Sequence, residues 1–123
     1  MRLELKLIEK IMRLSIIYND IIPFKGFTAL LLGKWLLVRN GERIGNVTLN
    51  HEGIHFEQQK EMLFVFFYLW YVIEWLIRLV LTFNNKKAYN GVSFEREAYA
   101  HQYDKNYLNE RKRYTWMKFV LSI

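Results

Sequence analysis

Two histidines and a glutamate carry the clearest chemical signal in this chain. His51 and His55 lie four residues apart, and Glu52 stands between them in the order H-E-x-x-H. On an α-helix this spacing places the two imidazoles about 40° apart around the axis and one turn apart along it. Two nitrogen ligands then face one point, which is half of the shell that a tetrahedral Zn²⁺ ion requires. We predict Glu52 as the general base that accepts a proton from a metal-bound water.

The composition limits how else a metal could be held. The chain has 123 residues and no cysteine. Disulfides and thiolate zinc sites are excluded, so histidine and carboxylate must supply the ligands. The length indicates a single domain, residues 1–123, with a modest core. Because 52% of the residues are hydrophobic and the net charge is +6, we expect part of the surface to face lipid or a partner.

The beginning of the chain is predicted to form an amphipathic helix over residues 2–14. Apolar residues recur there at helical spacing, and charged residues occupy the other side. This pattern suits a helix docked on the core as well as one resting on a membrane. The stretch lacks the apolar region of a signal peptide, so we predict no cleavable signal and a membrane-associated or cytoplasmic location.

Short apolar runs separated by glycines between residues 27 and 49 predict strands. Asn40-Gly41 follows one such run and precedes another at residues 42–44, which indicates a type I′ hairpin turn. We therefore expect a small antiparallel sheet of two or three strands before the helix that carries the histidines. Thr48, or alternatively Asn46, is the predicted N-cap of that helix.

A strongly apolar segment, residues 62–83, follows the histidines. Its 22 residues include only two charges, Glu74 and Arg78, at a spacing that allows them to pair on a helix. A segment that is apolar on all sides is either buried or in lipid. Three interpretations stay open: membrane insertion or surface binding, burial in the core, and contact between copies in a homo-oligomer.

A further helix is predicted after the turn at Asn90-Gly91. Ser93 is its expected N-cap, and Glu95 and Glu97 lie in its first turn. Acidic side chains at this end complement the helix dipole, which is one explanation for both glutamates.

The run E-R-E-A-Y over residues 95–99, together with the H-E-x-x-H motif, resembles the gluzincin metallopeptidases. In that family a glutamate on a later helix completes the metal site, often within E-x-x-A-D. The resemblance implies Glu95 as the third Zn²⁺ ligand and Ala98 as the small residue at which two helices approach. Tyr99 replaces the aspartate that usually steadies a ligand histidine, and its hydroxyl would accept that hydrogen bond more weakly. Glu97 is the alternative third ligand.

The resemblance also implies a fold and an activity. The fold is α+β, mostly helical and zincin-like, with a long active-site helix and a later helix that bears the glutamate. The activity is zinc-dependent hydrolysis of peptide bonds in a peptide or protein substrate, and the chain is also similar to small uncharacterised bacterial membrane metalloproteases. Tyr99, His101 and Tyr103 are candidates for a hydrogen bond to the transition state or for support of a ligand. The alternative function is a non-catalytic membrane-associated or oligomeric scaffold with a structural metal or none.

The path of the chain back to Glu95 poses a geometric problem. A straight helix from His55 to Phe83 would carry the chain about 42 Å away from the metal. Three solutions remain: a bend or break between residues 62 and 75, an earlier helix end, or an extended return. The basic run at residues 104–118, with its interleaved aromatic residues, suits a membrane surface better than nucleic acid beside such an apolar segment.

Overall fold

The computed structural model describes residues 14–22 and 29–120. Within these ranges the fold is α+β and mostly helical with a small three-stranded sheet, which confirms the predicted class. The amphipathic helix predicted for residues 2–14 lies outside the described residues except at its last position. The strands are β1 (Ser15–Asn19), β2 (Ala29–Leu32) and β3 (Trp35–Arg39), and the helices are α1 (Asn46–Glu61), α2 (Val65–Thr82), α3 (Asn85–Gly91), α4 (Ser93–His101), α5 (Tyr107–Glu110) and a 3-10 helix (Thr115–Phe119).

The sheet is mixed, whereas the sequence predicts an antiparallel one. Its order is β1-β3-β2, with β1 parallel and β2 antiparallel to the central β3. The hairpin turn lies at Gly33-Lys34, where Gly33 has a φ of +60°. The hairpin predicted at Asn40-Gly41 is wrong: the chain turns there, but residues 42–44 form no strand. Both edges of β3 are already paired, so a further strand has no place beside it.

One face of the sheet packs against α1. Leu36 and Val38 of β3 are fully buried, and they form a cluster with Leu31 of β2. Leu49 and Phe56 of α1 pack against this cluster. The alternation along β3 therefore fixes which side of the sheet supports the helix that carries the histidines.

Helix α1 begins earlier than the predicted caps allow. Its N-cap is Gly45, and no side chain makes a capping hydrogen bond there. The predictions of Thr48 and Asn46 as caps are wrong, because both residues already lie within the first turn. Gly53 faces α5, and a Cβ atom on it would lie 2.8 Å from Cδ1 of Leu108. Because Gly53 has no side chain, α1 can pack closely on α5 at this point.

The chain breaks sharply between α1 and α2. Leu63 and Phe64 have φ values of +51° and +59°. Residues other than glycine rarely adopt this backbone conformation. The backbone N–H of Phe64 donates to the carbonyl of Gln59 at 2.7 Å, which closes the turn. The break falls within the range of 62 to 75 that the sequence allows, and it lets α2 fold back along the domain.

Two further clusters hold the helices together. One joins α1, α4 and α5, and it includes the fully buried Ala98, as expected for the point of close approach. The other joins α2, α4 and the 3-10 helix through Phe67, Phe94 and Trp116. Helix α4 starts with Ser93, whose N–H and Oγ both donate to Oε2 of Glu74 at 3.0 and 2.7 Å. Ser93 is therefore not the predicted N-cap: a carboxylate of α2 accepts the hydrogen bonds at this helix start.

Candidate metal centre

The structure brings His51, His55 and Glu95 together. Nε2 of His51 lies 3.1 Å from Nε2 of His55, and Oε1 of Glu95 lies 3.1 and 3.0 Å from these two nitrogens. Ligands at tetrahedral zinc distances are separated by about 3.3 Å from one another. All three side chains are buried. The triangle therefore has the size and the donor atoms of one face of a zinc coordination shell.

Three helices position this triangle. The histidines lie one turn apart on α1, and Glu95 lies in the first turn of α4. The hydroxyl of Tyr71 on α2 donates to Oε2 of Glu95 at 2.8 Å, which leaves Oε1 directed at the histidines. The break before α2 makes this contact possible, because it turns α2 back so that Tyr71 reaches Glu95. The sequence provides no local signal for Tyr71.

Hydrogen bonds fix which nitrogen of His55 faces the centre. Nε2 of Gln58 donates to the carbonyl of Phe94 and to Oε1 of Glu97, both at 3.0 Å. Both partners accept hydrogen bonds, so this amide orientation is determined by the network. Oε1 of Gln58 then faces Nδ1 of His55 at 2.8 Å. Since an amide oxygen only accepts, Nδ1 carries the proton and the lone pair of Nε2 points to the centre.

A second glutamine contacts the other histidine. Oε1 of Gln102 lies 2.8 Å from Nδ1 of His51. Asn50 donates to the backbone carbonyl of Gln102 at 2.8 Å and so holds the end of α4 against α1. The resemblance noted from the sequence predicts a group with this role at position 99. Tyr99 does not perform it; its ring instead lies edge-on to His51, with centroids 4.6 Å apart.

The donor set needs either a proton or a metal ion at its centre. With both Nδ1 atoms protonated, neutral His51 and His55 direct two lone pairs at the carboxylate of Glu95, and such an arrangement is repulsive without a proton or a metal ion. Burial alone would lower the pKa of His55, but the carboxylate of Glu95 raises it to about 9. Burial likewise opposes ionisation of Glu95, yet the two histidines hold its pKa well below the usual range. The residues present therefore fit a divalent metal ion.

Glu52 lies beside the triangle at the meeting point of two cavities. It is 8% exposed, and burial raises its pKa although the two histidines oppose this shift. A cavity of about 660 Å³ extends from it past Thr48, Tyr89 and Tyr99. A smaller one of about 340 Å³ extends the other way and is walled mostly by apolar side chains. Glu52 thus has access from solvent and a raised proton affinity, which a general base needs.

The remaining predicted residues lie elsewhere. His101 stacks on Tyr107, with ring centroids 3.9 Å apart and planes 3° from parallel. Tyr103 is 75% exposed and lines neither cavity that reaches Glu52. The structure therefore does not bring either residue to the candidate site.

Glu97, the alternative third ligand, lies outside the triangle. Its Oε2 accepts hydrogen bonds at 2.6 Å from Arg111 and from Tyr107, and its Oε1 accepts from Gln58. Burial would raise the pKa of Glu97, but the hydrogen bonds and charge of Arg111 lower it. Arg111 also forms two hydrogen bonds with Glu61 of α1. Glu97 is instead the anchor of a polar chain that runs from Arg111 through Gln58 to His55.

Comparisons with known proteins identify no relative of this chain. No family model, no curated protein and no solved structure matches the chain. A function for it rests on the residues and the geometry described above.

Proposed function

We propose that this protein is a zinc-dependent peptidase with a zincin-like active site. The observation that carries the proposal is the buried triangle of His51, His55 and Glu95 with the buried carboxyl group of Glu52 beside it. Chance assembly is a poor explanation, because residues 40 or more positions apart meet with their lone pairs directed at one point.

The chain's residues divide the chemistry between them. His51, His55 and Glu95 would hold Zn²⁺, which when bound polarises a carbonyl group and acidifies a water molecule. Glu52 accepts the proton of the attacking water at its carboxylate and passes it to the leaving amine. Burial of Glu52 favours this role, because it raises the pKa of the carboxyl group toward neutral pH. The hydroxyl of Tyr99, on the wall of the larger cavity, is a donor for the carbonyl oxygen.

The two cavities indicate how a peptide would be held. The smaller cavity lies between β2 and α2, with walls from Leu30, Leu32, Phe67 and Tyr68. An apolar side chain of the substrate fits there, since the wall offers few polar partners. Strand β2 is an edge strand of the sheet, so the backbone of an extended peptide has main-chain groups to pair with. Such pairing is independent of the substrate's sequence.

Zinc content and hydrolysis together test the proposal. We expect about one zinc per purified chain, and loss of that zinc in His51→Ala and in Glu95→Ala. Glu52→Gln should keep the zinc and lose the hydrolysis of a mixed peptide library. His101→Ala, the third histidine, is the matched control and should keep both. A purified chain that neither contains zinc nor binds it when offered would overturn the proposal.

A structural metal without catalysis is the second candidate. The low exposure of the three ligands, 6%, 6% and 4%, favours it, because structural zinc sites are closed. In that case zinc would raise the melting temperature, and no peptide in the library would be cleaved. Substitution of Glu52 then distinguishes the two functions, since only a catalytic site loses an activity when this carboxylate is removed.

A further inference from the structure

Helix α2 presents a continuous apolar surface to the outside of the domain. We call it the outward face and define it by Val65, Leu69, Val72, Ile73, Leu76 and Val80. These side chains are between 47% and 72% exposed. They lie within an arc of about 100° on the helix. A surface helix of a domain surrounded by water has polar residues at these positions.

Three polar residues of α2 are on the opposite side and form hydrogen bonds with the rest of the domain. The hydroxyl of Tyr68 donates to Gln59 of α1, and that of Tyr71 donates to Glu95. Glu74 accepts from Ser93. The usual polarity of a surface helix is thus inverted, since its hydrogen-bonding groups face the protein. The outward face offers an apolar surface and no hydrogen bond, which suits lipid.

The packing of α2 decides between crossing a membrane and lying on it. The middle of the helix runs beside the start of α4, because Tyr71 contacts Glu95 and Glu74 contacts Ser93. The metal-binding triangle is therefore level with the middle of α2. If α2 crossed a bilayer, this triangle and the edge of β2 that no strand of the described residues pairs with would lie in the hydrocarbon, where open sheet edges and irregular backbone do not occur. Helix α2 is long and apolar enough to cross, but its contacts favour an orientation parallel to the membrane.

We propose that the outward face of α2 is a membrane-binding surface, on which the helix lies parallel to an anionic bilayer with the metal centre on the aqueous side. The 18 residues of α2 extend about 27 Å. Interfacial helices of this kind insert their apolar face about 5–10 Å deep. Lys86 and Lys87, both exposed, lie in the first turn of α3, the helix that follows α2, and the chain has a net charge of +6. This charge attracts anionic headgroups and opposes the approach of a second copy.

Vesicle flotation of the full chain measures the binding. We expect the chain to float with phosphatidylcholine–phosphatidylglycerol vesicles. Leu69→Gln/Leu76→Gln should weaken this by at least about tenfold. Ile21→Gln/Tyr103→Gln removes two exposed side chains outside α2 and should bind like the wild type. Failure of the wild type to float, or equal loss in the two double variants, would overturn the proposal.

Two lysines test the preference for anionic lipid. Lys86→Gln/Lys87→Gln should reduce binding to the anionic vesicles roughly thirtyfold, since each lysine near such a surface contributes about a factor of five. Binding to pure phosphatidylcholine should change little. An unchanged affinity for the anionic vesicles would contradict the assigned charge contact.

Label depth separates the two membrane orientations. The chain has no cysteine, so Val65→Cys, Val72→Cys and Val80→Cys each accept one nitroxide label. An orientation parallel to the membrane predicts the same depth for all three labels. A crossing helix predicts that the label at 72 lies about 10 Å deeper than the one at 65, and this result would overturn the proposal. A dimer with short label-to-label distances in the absence of vesicles would overturn it as well. None of these measurements requires bound zinc, so their outcome is independent of the proposed peptidase.

Discussion

The amide of Gln58 offers the sharpest test of how the metal centre is built. Its oxygen is the acceptor for Nδ1–H of His55 at 2.8 Å, and Gln58 is fully buried. In Gln58→Leu this acceptor is lost and water cannot replace it. A metal on Nε2 obliges His55 to keep the proton on Nδ1, so the bound state then contains an unpaired buried N–H.

The size of the effect follows from that N–H. An unsatisfied buried donor costs about 1–3 kcal/mol. The metal-free ring, which its raised pKa keeps doubly protonated at neutral pH, escapes part of this cost, because it can release the proton on Nδ1 and keep the one on Nε2 that donates to Glu95. We therefore expect zinc affinity to fall about 5- to 150-fold in Gln58→Leu. This range agrees with the usual effect of groups that orient metal-bound histidines.

Gln102→Leu is the matched variant on the other histidine. Gln102 is only partly buried, so a water molecule can replace its oxygen at Nδ1 of His51. We expect its zinc affinity to fall less than about tenfold. Competition with a chromophoric chelator at neutral pH measures both affinities, and urea unfolding of the metal-free chains reports folding. Wild-type affinity in a folded Gln58→Leu chain would refute the reasoning about the tautomer, as would a larger loss in Gln102→Leu.

Three further predictions follow from the same structure. Because the pKa of His55 is raised to about 9, zinc binding at neutral pH should release about one proton and weaken as the pH falls; calorimetry in two buffers with different ionisation enthalpies measures this. The lowered pKa of Glu95 stabilises the metal-free chain above the ordinary pKa of about 4.5, and this stability should be lost as the pH falls below that value. The stability that the raised pKa of His55 contributes is complete below about pH 6.5 and is lost as the pH rises through about 9. Gly53→Val should reduce the free energy of unfolding by about 1–3 kcal/mol in urea titrations, because even a Cβ would lie 2.8 Å from Leu108.

Each of these has a result that would contradict it. Buffer-independent heats of zinc binding would show that His55 holds no proton at neutral pH. A Glu95→Gln chain as sensitive to acid as the wild type would show that Glu95 is not the group responsible. Gly45→Val, where nothing lies within 4 Å of an added Cβ, is the control for Gly53→Val and should be affected less.

The spacing of residues along the sequence predicts those features of this protein that lie within a single helix. The four-residue spacing of His51 and His55 determines that both face one point, and the apolar run after them indicates a helix that is buried or in lipid. Glu95, Ala98 and Tyr99 share one helical face, and the resemblance of this run to the gluzincins predicts Glu95 as the third ligand. The α+β class follows from the same short-range patterns.

Contacts between distant residues decided the rest. Asn40-Gly41 has the local chemistry of a hairpin turn, but both edges of β3 are already occupied, one by the neighbouring β2 and the other by β1, which lies farther away in the chain. The break at Leu63 and Phe64 has no glycine or proline to mark it, because the packing of α2 and not the local preference determines the backbone there. Gln58 belongs to the motif's own helix, yet its role appears only when Glu97 and the carbonyl of Phe94 orient its amide. The two histidine ligands are thus encoded by their spacing along one helix, whereas Glu95 and the groups that orient the ligands come from other elements and depend on how those elements pack.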